Sequence, residues 1–221
     1  MSVRSWAQCY SEEGRFSPVG VTFHWVMAAM IFFQLGLGWL ITIMPVGGTK
    51  FGALGLHSAV GLAIFVLALF RIVWRIMVPD PFNDADTMGW RTKFAYFVEH
   101  LFYLCFLLLP LSGWVMWSSV APAQPLQVGG ILPWPEIPLA SLPMPLRWDI
   151  LEIAVDVHVA VVWLLLLLLP LHIGAALKHH FWDRNDVLSG MLPRIPDAEH
   201  PRTAPKHRRP KPRPHGRTAA G

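Results

Sequence analysis

The chain has 221 residues, 54% of them hydrophobic and only 14% charged, with a mean hydropathy of +0.44. That balance excludes an ordinary soluble domain, whose helices need a polar face for water. The formal net charge of +4 and the isoelectric point near 9.4 come largely from the C-terminal end, so they bear on orientation in a membrane more than on an acidic partner.

The opening, MSVRSWAQCYSEEGRF, mixes acidic and basic residues and lacks a compact apolar run, so a cleaved signal peptide is not expected. No Asp, Glu, Lys or Arg occurs in residues 16–49, 51–70, 101–135 or 157–177. Each interval is at least about 20 residues long, enough for a helix to cross a hydrocarbon core. Four transmembrane helices are predicted, near residues 20–44, 56–78, 94–118 and 155–177. The fold class expected is therefore all-α, an integral membrane four-helix bundle. With four spans both termini share one side, together with the connection between the second and third helices. That side collects sixteen Lys and Arg, whereas the other holds Lys50 and Arg147. An excess of basic residues marks the cytoplasmic face, which predicts N-in and C-in.

The connection across residues 119–153 contains seven prolines together with Trp134 and Trp148, a composition suited to short pieces at the membrane interface. The domain division expected is a membrane unit over residues 1–193 and a tail over 194–221. The tail is rich in Pro, Arg and Lys and buries too little apolar surface to fold. It reads as a cytoplasmic topology determinant touching anionic lipid rather than as a nucleic-acid arm.

Ten histidines are present, and predicted depth sorts them. His24 lies one turn inside the first helix on the inner side, and His57 opens the second on the outer side. His158 opens the fourth helix on the outer side, and His172 lies near its inner end. Fourteen residues separate His158 from His172. This turns a helix by some 40° less than four full turns and rises about 21 Å, so both rings share one face. Depth pairs His24 with His172 and His57 with His158. Ionisable groups inside a membrane usually face the bundle interior and mark a functional path. Two bis-histidine sites, one per leaflet, suit haem iron that passes electrons. Zinc would want three or four clustered ligands. Arg71 follows His57 by the same fourteen residues, so it should face the inner site, where it either pairs with haem propionates or snorkels as an inside anchor. Arg75 is expected to snorkel towards the inner surface. His100 competes with His24 for the inner site and is also a candidate quinone or proton contact, but reads by default as an interfacial polar residue. Cys9 and Cys105 make no disulfide framework, and no C-x-x-C-H run is present for thioether attachment.

Four stretches resemble the bacterial cytochrome b561 family: RFSPVGVTFHW, LHSAVGLAIFVLALFRIVWR, HLFYLCFLLLPLSGW and VHVAVVWLLLLLLPLHIGAALKHHFWDRNDVLSGMLP. The resemblance spans roughly residues 15–118 and 150–193. It implies a four-helix cytochrome of the bacterial inner membrane with two haem b groups, and its ligand positions match His24, His57, His158 and His172. It further implies electron transfer between an outer-face donor and membrane quinone. In the activity best understood for the family, superoxide is the donor and ubiquinone the acceptor. Similar cytochromes serve as membrane anchors and electron conduits for hydrogenases and other dehydrogenases, and a c-type cytochrome is a further candidate partner. No catalytic residue is identified, and no nucleic-acid partner is expected.

Overall fold

The computed structural model describes residues 16–78, 89–120, 125–183 and 187–192. The tail beyond 193 and the start of the chain, with Cys9, lie outside them. Helix α1 runs Pro18–Ile43, α2 Gly48–Met77, α3 Trp90–Val120 and α4 Met144–Phe181, and a single turn, α5, covers Val187–Gly190. The four long helices have 26, 30, 31 and 38 residues. At 1.5 Å per residue the shortest is about 39 Å long, more than a hydrocarbon core of about 30 Å requires. All four are apolar enough to span a membrane, so the expected all-α membrane bundle is the observed one.

Local chemistry sets the ends. Ser17 caps α1 by accepting the Gly20 amide at 3.2 Å, with Pro18 at the first helical position. The Trp74 indole donates to the same hydroxyl at 3.3 Å, which ties α2 to the start of α1. Pro145 likewise stands in the first turn of α4. Two helices begin earlier than the charge pattern predicts: α2 at Gly48 instead of 56, and α4 at Met144 instead of 155. Arg147, Asp149, Glu152 and Asp156 make the start of α4 read as a loop. These charges need water, but water does not end a helix that projects beyond the bilayer.

Helix α4 packs along α3, α3 on α2, and α2 on α1, whereas the backbone of α4 makes little close approach to α1 or α2. The central core is formed by Met27 and Ile31 of α1, Ile64 and Ala68 of α2, Cys105 of α3, and Val161, Leu165 and Leu168 of α4. Outward, large apolar side chains such as Phe32, Trp39, Phe70, Phe97, Trp163 and Leu167 are exposed, as a lipid-facing surface demands. The end bearing the α1–α2 and α3–α4 connections corresponds to the outer side expected from charge.

The α3–α4 connection does not lie flat. Strands β1 (Gln127–Val128) and β2 (Leu132–Pro133) pair antiparallel around Gly129 and Gly130, with φ of 58° and 74°. Two successive positive φ values give the tight hairpin turn that glycine permits. The Gly129 amide donates to the Ala59 carbonyl of α2 at 3.0 Å. Trp134 then inserts between Phe65 of α2 and Trp114 of α3, with ring centres 6.2 and 5.5 Å away. The Trp114 indole donates to the Pro135 carbonyl at 2.8 Å, and the Ile137 amide to Ser118. A 3-10 turn, Pro138–Ser141, completes the connection. Leu126 is buried and Trp134 half-buried, whereas the hairpin tip at residues 129–132 is exposed.

Candidate functional site: two layers of paired histidines

The four histidines singled out by depth meet in the expected two pairs. His24 of α1 faces His172 of α4 with ring centres 6.2 Å apart and planes at 49°. His57 of α2 faces His158 of α4 with the same 6.2 Å separation and planes at 59°. A metal ion sits about 2 Å from an imidazole nitrogen, and the ring centre lies about 1 Å behind it, so two rings sharing one metal have centres about 6 Å apart. Both pairs meet that spacing. They bridge the seams where the α4 backbone stands off from α1 and α2. Among the described residues no cluster of three His, Cys, Asp or Glu forms a site of the zinc kind.

The outer layer is built from four helices. The Ser112 hydroxyl of α3 lies 3.0 Å from His158 Nδ1. A Cβ at Gly113 would sit 3.8 Å from His158 Cε1, and one at Gly38 of α1 only 3.2 Å from His57 Cε1. Gln34 donates through Nε2 to the His57 carbonyl at 2.5 Å. Gln34 Oε1, His57 Nδ1 and the indole nitrogens of Trp117 and Trp134 are buried without a hydrogen-bond partner among the described residues. Trp117 stands one turn outward of Gly113 on the same face of α3. Buried polar atoms are normally satisfied, so this half of the bundle is shaped to receive a group with polar edges.

The inner layer has a different neighbour. Arg71 Nη2 donates to His24 Nδ1 at 3.2 Å. Arg71 thus faces the inner layer, as its spacing from His57 predicts. While Nδ1 accepts that bond, a neutral His24 holds its proton on Nε2. Iron binding through Nε2 therefore requires the guanidinium to leave Nδ1, which frees it for an acid such as a propionate. Phe102 meets the His172 ring edge-on at 5.2 Å. Arg75, expected to snorkel, instead makes a two-point ion pair with Glu99 at 2.9 and 3.2 Å, and Tyr103 donates to the same carboxylate. His100 is exposed and pairs its Nδ1 with the Tyr96 carbonyl at 2.6 Å, away from the His24–His172 layer. Beyond the helix, hydrogen bonds from Lys178 and His179 hold the Asp183 carboxyl below its usual range.

Sequence reasoning missed Ser112, Gly113, Gly38 and Gln34. The signal for Gln34 was its being one of few polar residues in α1; the others are ordinary small residues whose partners become visible only after packing.

Apolar antiparallel helices enclosing paired imidazoles define a membrane cytochrome. The chain belongs to the prokaryotic cytochrome b561 family, whose sequence profile matches residues 15–194. It is 28% identical over 180 residues to cytochrome b561 homolog 2 of Escherichia coli K12, covering 80% of this chain and 91% of that protein. It is 22% identical over 181 residues to cytochrome b561 homolog 1 of the same organism, covering 81% and 98%. A shorter match, 29% over 118 residues, is to cytochrome b562 of Cereibacter sphaeroides, covering 49% of this chain and 70% of that one. The protein is thus a bacterial membrane cytochrome of the haem b, electron-transferring class.

Proposed function

We propose that the chain holds two haem b groups, one between His57 and His158 and one between His24 and His172, and conducts electrons across the inner membrane between an outer-face donor and quinone, with ubiquinone the acceptor. The observation supporting this reading is the equal 6.2 Å spacing of both imidazole pairs across the seams of α4. Haem held by these histidines would supply a reversible one-electron change at iron. The protein's own part is to present four Nε2 lone pairs, to offer Arg71 to propionates at the inner layer, and to keep water out of the core between the layers. Both termini are assigned to the cytoplasm. Residues 1–193 form the cytochrome unit, and 194–221 a basic tail at the lipid surface.

Two donors compete. Superoxide is an anion, and capture is aided by a basic outer funnel. Of the two outer cations, Arg147 donates twice to the Ser119 carbonyl, at 3.1 and 2.7 Å, and Lys50 to the Met44 carbonyl at 3.2 Å. With only these two cations on the outer side, the funnel is weak, which favours the alternative: a haem-bearing anchor and electron conduit for a dehydrogenase, hydrogenase or c-type cytochrome docked at the outer face. The deciding measurement for the cytochrome itself is a reduced-minus-oxidised spectrum with haem quantification, expected to show low-spin b-type bands and two haems per chain. One haem or none refutes the reading. Stopped-flow mixing of superoxide with oxidised protein separates the donors, since haem reduction no faster than background eliminates the superoxide version.

A further inference from the structure

Ser112 meets three polar atoms with a single proton to give. Its hydroxyl oxygen lies 2.7 Å from the Leu108 carbonyl, 2.9 Å from the Leu109 carbonyl and 3.0 Å from His158 Nδ1. The carbonyls are acceptors only, so the hydroxyl proton goes to them, back-bonding to the preceding turn of α3. The remaining contact is then satisfied when His158 Nδ1 carries its hydrogen and donates it to the serine oxygen, with the Leu109 carbonyl as a second acceptor beside it. Ser112 is only 7% exposed, so no bulk water substitutes for it. Gly113, next in sequence, lies alongside the ring: a Cβ there would meet His158 Cε1 at an ordinary contact distance of 3.8 Å.

From this we infer that Ser112 is a positioning residue for the outer metal: it fixes His158 as the Nδ1–H tautomer, aims the Nε2 lone pair at the iron shared with His57, and lowers the midpoint potential of that haem. The inference rests on the di-haem reading above. Accepting the Nδ1 hydrogen makes Nε2 a stronger electron donor, as outer-shell acceptors do for metal-bound imidazoles, and a stronger donor favours oxidised iron. Ser112 has no counterpart at two of the other rings. His57 Nδ1 is buried without a partner among the described residues, and His24 Nδ1 faces the Arg71 cation.

The test compares purified haem-loaded wild type with Ser112→Ala and Ser112→Thr by optical redox titration and haem quantification, with His57→Ala identifying the outer wave. Ser112→Ala is expected to keep both haems and move the outer wave to higher potential while the inner wave stays, and Ser112→Thr, which retains a hydroxyl, to return it to the wild-type value. If Ser112→Ala loses the outer haem, its recovery at wild-type potential in Ser112→Thr supports the role, and loss in both variants overturns it. An outer wave unmoved in Ser112→Ala, or an inner wave moved equally, also overturns it. With two b-type waves in the wild type, such failures sink this inference alone. A wild type without haem sinks the di-haem reading and the inference with it.

Discussion

Gly38 offers the sharpest test of the outer layer. A Cβ built there would lie 3.2 Å from His57 Cε1 and 3.8 Å from its Nδ1, whereas at Gly36, two residues earlier on the same helix, it would meet nothing within 4 Å. Carbon atoms pack best at about 3.5–4.0 Å. Alanine at 38 therefore pushes the ring back by a few tenths of an ångström, and valine adds two further methyl groups to the same space. Forcing extra carbon into a filled site costs about 1–3 kcal/mol. Charged against haem binding by His57, that weakens outer-site affinity by about 5- to 150-fold. Gly38→Val should purify with one haem per chain and the inner redox wave intact, and Gly38→Ala should fall between it and wild type. Haem-to-chain ratios, followed by haem titration into depleted protein, measure the effect. Gly36→Val is the control for valine in α1 and should keep both haems. Two fully retained haems in Gly38→Val, or equal loss in Gly36→Val, would refute the reasoning.

The histidine pairing predicts that His57→Ala and His158→Ala lose one redox wave and His24→Ala and His172→Ala the other, while His100→Ala keeps both. Titration of the five variants checks it, with protein yield in membranes monitoring folding. Arg71→Gln should retain both haems but lower the inner midpoint potential, because a nearby cation favours the reduced form. An inner wave that stays or rises contradicts that role for the guanidinium. Reporter fusions after Gly48 and near Gln127 should report outside, and those after Asp84 and at the C-terminus inside. An outside signal at the C-terminus reverses the orientation.

Much of this was legible because a bilayer simplifies sequence. Charge-free runs of at least 20 residues have few fates, and the pitch of a helix turns a fourteen-residue spacing into a shared face. The meeting of His24 with His172, and of His57 with His158, followed from depth. What the residues did not disclose depended on partners distant in sequence. Ser112 is 46 positions from His158, and a serine in LPLSGW looks like any small polar residue in a membrane helix. Gly38 gives no sign of His57 until α1 and α2 are packed. The start of α4 misled because Arg147, Asp149, Glu152 and Asp156 report the presence of water, which is a different quantity from the end of a helix. Arg75 was expected to snorkel towards the inner surface, and its partner there, Glu99 on the neighbouring helix, was not legible in the sequence.

The core between the two layers bears on energetics. Seven of its eight buried residues, Met27, Ile31, Ile64, Ala68, Val161, Leu165 and Leu168, have no proton to pass, and the eighth is the Cys105 thiol. On the proposed di-haem reading, electrons crossing between the layers would travel without protons and move net charge through part of the membrane. Over the rise of about 21 Å between His158 and His172, in a core of about 30 Å, each electron moved inward against an inside-negative potential costs about 1.6 kcal/mol per 100 mV. Flow from an outer donor needs that much fall in energy between the layers. The neighbours of the four rings bias the chain in that direction. On the proposed reading, the Ser112 acceptor behind His158 would make the outer layer the poorer home for an electron, and the Arg71 cation beside His24 would make the inner layer the better one. Exchanging those two environments, with an apolar residue at 112 and a neutral one at 71, should flatten the gradient without removing a single ligand. Inward transfer would then stall at a lower membrane potential.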